Sequence, residues 1–342
     1  MIGFRVDANS KIATGHLMRC LSIAIELESQ GLDCVFISAD NESKIIIDRY
    51  GFHFISLGTY WQNMDSEIDA IKKVIIDNQI KKLVIDSYYV TERYLEKISN
   101  LTKTIYIDDV NRFIYPVDML INYSPYYDLF DYEKRYKNIN TKLILGCDYV
   151  PLRQEFKNVP LKIYENNVEK ILVTCGGTDN FNFMGKLLTK IVKNNLFRGI
   201  EFHLVFGAFN RNRNILYRLS ETYRNVMLHE NVDYISELMK SSDLAITAGG
   251  STVYEFCACG VPSISFSFAG NQLYGVRRFA EMGIIDYAGD IRDGEELLFS
   301  KIISKVQEYI DDPQKRKLRS KKMQKLVDGR GTERLCEKII NF

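Results

Sequence analysis

Short runs of β-branched and aromatic residues alternate along the chain with longer amphipathic stretches. The runs have the length of strands and are bounded by turn residues, whereas the stretches repeat apolar residues at the steps of a helix. This alternation is typical of parallel sheets with crossover helices, so the predicted fold class is α/β. The predicted strands are residues 2–7, 34–38, 52–57, 82–86, 104–108, 119–122 and 143–146, then 170–175, 201–206, 243–247 and 263–268.

The clearest predicted helix lies between the first two strands. Gly31 follows it, where a C-cap glycine belongs. Its apolar positions recur at three- and four-residue steps and are Leu17, Cys20, Leu21, Ala24 and Leu27.

The alternation lapses around residues 150–168, where Pro151, Pro160 and a polar triplet interrupt it, and it restarts with strand 170–175. We therefore predict two domains, at residues 1–155 and 156–342. Residues 293–342 are predicted as helices with a polar, lysine-rich turn region at 315–325, which is most simply a solvated face.

Composition bounds the class of protein. With 342 residues, 46% of them hydrophobic and 26% charged, the chain has the size of two domains and the balance of a soluble globular protein. A formal net charge of +1 indicates no partner held by bulk charge, so an anionic ligand must be held locally. No apolar run exceeds four residues, and we expect neither a membrane helix nor a secretory signal. The seven cysteines are scattered, so we expect buried reduced thiols in a cytoplasmic protein.

The first strand-to-helix turn, residues 5–16, carries the strongest candidate for catalysis. It matches neither the dinucleotide-binding fingerprint nor the phosphate-binding P-loop. His16 stands in the first turn of the helix, where backbone N–H groups and the helix dipole disfavour the imidazolium, so a neutral imidazole is available as a general base. A histidine that only hydrogen-bonds its neighbours is the alternative. The polar residues expected on the same rim favour catalysis, and they are Asp7, Asn9, Thr14 and Arg19.

The second turn is Gly249-Gly250-Ser251-Thr252, which follows strand 243–247. Its glycines let an anion approach the backbone, and its hydroxyls and free N–H groups at a helix start suit a phosphate without a metal. Thr252 and Glu255 equally fit a capping box, in which Glu255 folds back on the helix start. Both interpretations stay open at this point.

Two further loops are weaker candidates for the same ligand. Gly176-Gly177-Thr178-Asp179 follows strand 170–175 and would close on a diphosphate, although such loops are common. Asn271 and Gln272 follow strand 263–268 and offer side-chain amides, with a helix N-cap as the alternative for Asn271. Ligands of open parallel sheets bind at the carboxyl ends of the strands, so these loops and the His16 turn are expected to meet in a cleft between the domains.

We expect neither a metal nor a cofactor. Asp108 and Asp109 end one strand, but adjacent strand residues point to opposite faces and do not readily share one ion. Cys257 and Cys259 lack companion ligands and are assigned to the core.

Taken in chain order, these motifs resemble one family. The matching segments are Arg5-x-Asp7-Ala8-Asn9, Thr14-Gly15-His16-Leu17-Met18-Arg19-Cys20, Asp86-Ser87-Tyr88, Tyr149-Val150-Pro151-Leu152-Arg153-Gln154-Glu155-Phe156, Gly176-Gly177-Thr178-Asp179, Gly249-Gly250-Ser251-Thr252-Val253-Tyr254-Glu255, Asn271-Gln272 and Asp328-Gly329-Arg330-Gly331. From Arg5 nearly to the C-terminus, the chain resembles the UDP-2,4-diacetamido-2,4,6-trideoxy-β-L-altropyranose hydrolase of pseudaminic-acid biosynthesis.

The resemblance implies a GT-B architecture, related to the peptidoglycan UDP-N-acetylglucosamine transferase, with two Rossmann-like domains facing a cleft. It implies that water attacks the anomeric carbon, UDP leaves and the configuration inverts. By position, His16 matches the proposed general base and Tyr88 the catalytic-site tyrosine. The implied sugar-binding residues of domain 1–155 are Arg5, Asp7, Asn9, Gly15, Arg19, Asn122 and Arg153. The implied UDP-binding residues of domain 156–342 are Gly177, Thr178, Gly250, Ser251, Thr252, Glu255, Asn271 and Gln272, with Glu255 on the ribose hydroxyls.

Two positions depart from the family's pattern: Ala13 stands where many members have glycine, and Ser87 where many have histidine. Both line the sugar side, so the identity of the sugar is left open. The predicted function is hydrolysis of a UDP-2,4-diacetamido-2,4,6-trideoxyhexose for pseudaminic-acid-type nonulosonate biosynthesis, and the alternative is an inverting GT-B glycosyltransferase. The expected partner is the UDP-sugar, with neither nucleic acid nor membrane, and the chain is expected to be a monomer.

Overall fold

The structure, a computed structural model, describes residues 1–9, 12, 14–164, 167–176, 179–207 and 210–342. It divides into two compact units. Unit 1 comprises Met1–Gln154 and Arg330–Phe342, and unit 2 comprises Glu155–Gly329.

The strands of unit 1 alternate with helices, as the sequence pattern predicts. The strands are β1 (Ile2–Val6), β2 (Cys34–Ser38), β3 (His53–Ser56), β4 (Lys82–Asp86), β5 (Lys103–Ile107), β6 (Met119–Asn122) and β7 (Lys142–Leu145). The helices that follow them are α1 (Gly15–Ser29), α2 (Lys44–Arg49), α3 (Ile68–Asp77), α4 (Glu92–Ser99) and α5 (Tyr132–Arg135). Short 3₁₀ turns lie at Met64–Glu67, Tyr127–Phe130, Cys147–Tyr149 and, at the boundary with unit 2, Gln154–Phe156.

Unit 2 repeats this alternation. Its strands are β8 (Lys170–Thr174), β9 (Glu201–Phe206), β10 (Val226–Glu230), β11 (Leu244–Ala248), β12 (Ser263–Ser267) and β13 (Asp286–Asp290). Its helices are α6 (Phe183–Lys193), α7 (Arg213–Thr222), α8 (Ile235–Ser241), α9 (Thr252–Cys259), α10 (Leu273–Glu281), α11 (Glu295–Asp311) and α12 (Pro313–Leu326), with 3₁₀ turns at Gly270–Gln272 and Ile291–Asp293.

The last helix, α13 (Gly331–Ile340), belongs to unit 1. Leu335, Cys336 and Ile339 are fully buried in the same core cluster as the apolar face of α1. The sequence placed this segment in the second domain because chain order alone does not reveal which core an amphipathic helix joins. The first break, after Gln154, lies one residue before the predicted boundary.

Strand order places a topological switch point in each sheet. All pairings are parallel, and the order is β3-β2-β1-β4-β5-β6-β7 in unit 1 and β10-β9-β8-β11-β12-β13 in unit 2. The α/β class with parallel sheets is therefore confirmed. In unit 1 the chain leaves β1 toward one edge of the sheet and leaves β4 toward the other edge. In unit 2 it does the same from β8 and β11. Loops separate at such a point and leave a crevice at the carboxyl ends of the strands.

The ends of helix α1 follow from its sequence. Gly31 adopts φ = +80°, a left-handed conformation that glycine reaches without strain, and its N–H donates to the carbonyl of Glu28. Leu32 N–H donates to the carbonyl of Leu27, which ends the helix at the predicted glycine. Because the helix starts at Gly15, His16 lies in its first turn.

None of the described helices is both long and apolar enough to cross a membrane. Six of the seven cysteines are buried, as predicted, and Cys147 is partly buried.

Candidate active site

A cluster of polar side chains lies at the switch point of the unit 1 sheet. His16 and Arg19 come from the start of α1, which follows β1, and Asp86 is the last residue of β4. Tyr88 follows β4, and Asp109 follows β5. The topology therefore gathers groups from distant parts of the chain where an open parallel sheet binds its ligand.

His16 is oriented by a carboxylate. Its Nδ1 atom lies 2.6 Å from Oδ1 of Asp86. Burial alone would raise the pKa of Asp86, but its contacts with Arg19 and His16 hold the pKa well below the ordinary value, so the carboxylate is ionised. Two lone pairs would repel at 2.6 Å, so we assign the proton to Nδ1, which donates to Asp86. In the neutral ring of this tautomer the lone pair lies on Nε2, and the imidazole side chain is 16% exposed.

Arg19 ties the cluster together. Its Nε and Nη2 atoms each donate to one oxygen of Asp86, at 2.5 Å, in a bidentate pair. Its Nη1 atom donates to the Tyr123 hydroxyl at 2.6 Å and lies 3.8 Å from Asp109 Oδ2. Nη2 also lies 2.8 Å from His16 Nδ1, because both nitrogens donate to Oδ1 of Asp86. The guanidinium therefore fixes the carboxylate that orients the imidazole.

Tyr88 packs against the imidazole and is held by a second carboxylate. The two rings meet edge to face, with centroids 4.8 Å apart and planes at 89°. The Tyr88 hydroxyl donates to Asp109 Oδ2 at 2.9 Å. Burial, with the charge of Asp109, raises the pKa of Tyr88, so the hydroxyl keeps its proton. Burial also raises the pKa of Asp109, whose Oδ1 atom is buried and has no hydrogen-bond partner within the described residues.

The positioning residues Asp86, Asp109 and Tyr123 were not assigned a role from the sequence. Each stands at or just after the carboxyl end of a parallel strand, β4, β5 and β6 in turn. That shared placement is the signal that would have found them, because these ends meet at one edge of the sheet.

Arg5 is a structural residue, and its predicted contact with a sugar is corrected. Its side chain is fully buried, and it donates to both oxygens of Glu67 at 2.7 Å and to Asp7 Oδ2 at 2.6 Å. Glu67 also accepts from the Tyr94 hydroxyl at 2.9 Å, and Asp7 accepts from the N–H of Ala39 at 2.8 Å. Asp7 belongs to the same buried network. The sequence motif could not distinguish an internal ion cluster from a binding surface.

Replacing Arg5 with methionine is expected to lower the free energy of unfolding by about 3–5 kcal/mol, because two buried carboxylates lose their cation. Urea unfolding of the full chain measures this change. Arg49→Met removes an exposed arginine from α2 and serves as the matched control, with a change within about 0.5 kcal/mol. An Arg5→Met protein as stable as the wild type would restore Arg5 as a candidate ligand contact.

The other predicted sugar-side residues fall into two groups. Asn122 is fully buried, donates to the Tyr132 hydroxyl at 2.9 Å and accepts from Ser124, so it too is structural and its predicted sugar contact is corrected. Asn9, Gly15 and Arg153 are partly buried. The Asn9 side chain accepts from the N–H of Ile12, which shapes the loop before His16.

In unit 2, the loop after β11 leads into α9 at the switch point of the second sheet. Gly249 donates its N–H to the carbonyl of Phe266 at 2.8 Å, and a Cβ at Gly249 would lie 2.0 Å from Val276 Cγ1. Only glycine therefore fits there. Gly250 and Ser251 are exposed, and nothing lies within 4 Å of a Cβ built at Gly250. Open backbone at a helix N-terminus suits an anion.

Neither Thr252 nor Asn271 is the N-cap residue of the helix that follows it. Ser251 is the N-cap of α9 and makes no side-chain capping bond, whereas Thr252 is already helical, so Thr252 does not cap the helix. Gln272, not Asn271, precedes α10 as its N-cap. Asn271 is exposed, and Gln272 Oε1 accepts from the N–H of Phe268, which leaves its amide N–H groups to donate.

The turn after β8 is only partly described. Gly177 and Thr178, both predicted to bind UDP, lie outside the described residues. Asp179 is buried and accepts from the N–H groups of Phe183 and Met184 at 2.7 and 3.1 Å, so it caps the start of α6.

Three curated proteins are similar to this chain in sequence. MJ1062 of Methanocaldococcus jannaschii, an uncharacterized protein, is 26% identical over 77% of this chain, and the match spans 54% of that protein's length. The spore coat polysaccharide biosynthesis protein SpsG of Bacillus subtilis is 24% identical over 98% of this chain and 96% of SpsG. The UDP-2,4-diacetamido-2,4,6-trideoxy-β-L-altropyranose hydrolase of Campylobacter jejuni is 23% identical over 74% of this chain and 86% of the hydrolase.

Solved structures confirm the GT-B type of fold. The structure of MurG from Acinetobacter baumannii aligns over 100% of this chain and 99% of the MurG chain, with a TM-score of 0.69 and 10% sequence identity. The structure of CalG4, the calicheamicin glycosyltransferase, aligns over 99% of this chain and 97% of the CalG4 chain, with a TM-score of 0.67 and 14% sequence identity. Residues 170–333 match the glycosyltransferase family 28 C-terminal domain. The chain thus has a GT-B type of fold, and it is similar in sequence to the UDP-2,4-diacetamido-2,4,6-trideoxy-β-L-altropyranose hydrolase of Campylobacter jejuni, the family that its sequence motifs resemble.

Proposed function

We propose that this protein hydrolyses a UDP-2,4-diacetamido-2,4,6-trideoxyhexose at its anomeric C–O bond, with inversion, and releases UDP and the free sugar. One observation carries the proposal. At the switch point of unit 1, an ionised carboxylate holds Nδ1 of a partly exposed imidazole and leaves Nε2 as a base. An enzyme that processes nucleotide sugars agrees with the GT-B fold and with the family 28 domain.

The chemical step balances with these residues. Nε2 of His16 takes a proton from water while the water oxygen bonds to the anomeric carbon. The bond from that carbon to the UDP oxygen breaks, and its electron pair leaves with UDP. The imidazolium formed is stabilised by Asp86, to which its Nδ1–H is already bonded. A base positioned in this way contributes about 10²–10⁴-fold to the rate.

Tyr88 is proposed to hold the imidazole in place and to contact the sugar. Its ring edge limits rotation of His16. Because its proton is donated to Asp109, the phenol oxygen offers a lone pair to a donor on the substrate, such as the N–H of an acetamido group. Asn9, Gly15, Arg19 and Arg153 are proposed to shape the sugar side around this pair, whereas Asp7 belongs to the buried network with Arg5.

Unit 2 is proposed to bind UDP. Gly250, Ser251 and Thr252 present open backbone and hydroxyls at the start of α9, where the helix dipole stabilises the departing diphosphate by about 0.3–1 kcal/mol per contact. Asn271 and Gln272 come after β12, and Gly177 and Thr178 come after β8 in the sequence. β8 and β12 are the two neighbours of β11, the strand that leads to Gly250. No acid is required for a leaving group whose charge is stabilised in this way.

The choice of a diacetamido sugar rests on the relatives. The name of the Campylobacter jejuni protein specifies that substrate, and SpsG is named for polysaccharide biosynthesis. The test is incubation of the purified chain with UDP-2,4-diacetamido-2,4,6-trideoxy-β-L-altropyranose or with UDP-N-acetylglucosamine, without an acceptor. We expect UDP release from the first only. Release that requires an added acceptor would identify a glycosyltransferase instead, and turnover of UDP-N-acetylglucosamine alone would contradict the proposed substrate.

Replacing Glu255 with glutamine is expected to weaken UDP binding by about tenfold, because a ribose hydroxyl then loses a charged acceptor. Isothermal titration with UDP measures the effect. Glu237→Gln on α8 changes an exposed carboxylate paired only with Lys240 and is the matched control, with unchanged affinity. If Glu255→Gln alters thermal stability but not UDP affinity, Glu255 belongs to the helix start and not to the ligand site.

A further inference from the structure

Helix α12 of unit 2 carries an unusual concentration of positive charge. Its fourteen residues include seven lysines and arginines and no acidic residue, in a chain whose formal net charge is only +1. Four of these lysines are exposed, and we call them the lysine face: Lys317, Lys321, Lys322 and Lys325. Three of them repeat at the i, i+4 step, so like charges lie next to one another along the helix.

The remaining basic residues of α12 are already used within unit 2. Lys315 pairs with Glu308 at 2.9 Å and lies 3.4 Å from Asp286, which also pairs with Arg319 at 3.2 Å. Arg316 is fully buried and donates to the carbonyl groups that end α11. By contrast, no carboxylate in the described part of the chain forms an ion pair with the lysine face. Its charge is therefore available to a partner.

Two of the most exposed apolar side chains of the protein lie beside this helix. Leu161 is 77% exposed and Ile163 is 90% exposed. They alternate with Lys162, whose ammonium donates to backbone carbonyls of unit 2, and Tyr164, whose hydroxyl donates to the carbonyl of Gly260. Because the alternate side chains are anchored inward, the two apolar side chains are held outward.

Hydrogen bonds of Gln324 fix this segment against α12. Gln324 Oε1 accepts from the N–H of Lys162 at 3.0 Å, and its Nε2 donates to the carbonyl of Pro160 at 3.0 Å. The segment that carries the protruding pair is therefore anchored to α12 at Gln324, which lies between Lys321 and Lys325 in the sequence. A third apolar side chain, Leu318, is 59% exposed on the helix itself.

We propose that the lysine face, together with Leu161, Ile163 and Leu318, binds the surface of an anionic lipid bilayer. Lysines attract the headgroups, and aliphatic side chains held outward enter the boundary between headgroups and acyl chains. A nucleic acid would use the lysines but has no place for the aliphatic side chains, because its recognition favours arginine and stacked aromatic rings. This proposal departs from the expectation, drawn from the sequence, that the protein has no membrane partner. The net charge of +1 hides a local concentration of positive charge on α12.

The test is co-sedimentation of the full chain with vesicles of phosphatidylcholine, alone or with phosphatidylglycerol. We expect binding to the mixed vesicles only, and weaker binding as salt rises. Lys317→Glu, Lys321→Glu and Lys325→Glu together should lower the partition coefficient by at least about 100-fold, since each lysine contributes about fivefold. Leu161→Ser with Ile163→Ser should lower it by about tenfold, and both positions are exposed enough to leave the fold intact.

A matched control carries the same change of charge on unit 1. Lys73, Lys97 and Lys137 are exposed, and their triple replacement by glutamate should leave vesicle binding within about twofold. The proposal is overturned if no protein sediments with the anionic vesicles, if the control triple variant loses as much binding as the α12 variant, or if heparin binds the chain while the vesicles do not. None of these measurements needs a UDP-sugar, so the outcome is independent of the proposed hydrolysis.

Discussion

Replacement of His16 with alanine is expected to lower kcat for UDP-sugar hydrolysis by about 10²–10⁴-fold, the contribution of a positioned base. Alanine continues α1 without strain, and Asp86 keeps its bidentate pair with Arg19, so the fold and the sugar side are expected to persist. KM should therefore change by no more than about threefold, because the lost interaction acts only in the transition state. Steady-state kinetics with continuous detection of UDP measure both quantities.

His53→Ala is the matched control for this variant. His53 is an exposed histidine at the amino end of the edge strand β3, and β2 separates this strand from β1. Its replacement should leave kcat unchanged. A His16→Ala enzyme that turns over at the wild-type rate would remove His16 as the base.

Replacing Asp86 with asparagine is expected to lower kcat by about 10²–10⁴-fold as well, although the residue does not touch the water. Asparagine keeps the shape but supplies no charge to stabilise the imidazolium, and its amide does not select the tautomer with the proton on Nδ1. UDP affinity should be unchanged, since the predicted UDP-binding residues lie on unit 2. Steady-state kinetics distinguish the two possible effects. A lower kcat with an unchanged KM indicates that the base is no longer positioned, whereas a higher KM indicates a damaged binding surface.

Asp118→Asn provides the control for the carboxylate. Asp118 lies at the opposite, amino end of β6, where it accepts from the N–H of Thr104 and from Lys103. It should retain full activity. The double variant His16→Ala with Asp86→Asn should be no slower than His16→Ala alone, because the two residues act as one unit. Additive losses would mean that Asp86 works independently of the imidazole.

The central strands were predictable because they are buried on both faces and read as apolar, β-branched runs. In the structure, four strands begin and end at the predicted residues: β2, β4, β6 and β9. The strands missed, β10 and β13, are the two edges of the unit 2 sheet. β10 contains partly exposed His229 and Glu230, and β13 contains two aspartates and Gly289 at φ = +135° beside a register shift. Edge strands carry weaker patterns because one side meets solvent.

The lysine-rich segment shows a different limit of sequence reasoning. Residues 315–325 were predicted as a turn region because their polarity hides any apolar face, yet they lie within α12. The structure explains the helix by its ends and its buried positions. Pro313 occupies the first turn, Asp312 accepts from the N–H of Lys315, and Arg316, Ser320 and Met323 face inward. Mostly polar residues thus form the buried face of α12, which a hydropathy pattern does not reveal.

Part of the candidate site was accessible to sequence reasoning. His16 could be placed in the first turn of a helix because the sequence pattern indicates the strand before that helix and the glycine, Gly31, that ends it. Tyr88 was found through a motif. The contacts that orient them could not be found, because tertiary structure makes them. Asp86 is 70 residues from His16 in the sequence, and Asp109 is 21 residues from Tyr88. Arg5 was misassigned for the same reason, since its partner Glu67 is 62 residues away.

The most direct test of the account is hydrolysis in ¹⁸O-labelled water, followed by NMR and mass spectrometry of the initial products. We expect one label at the anomeric hydroxyl of the released sugar, none in UDP, and a sugar that first appears as the anomer opposite to that of the substrate. Label in the β-phosphate of UDP, or a sugar that first appears with the anomeric configuration retained, would contradict attack by a His16-activated water at the anomeric carbon.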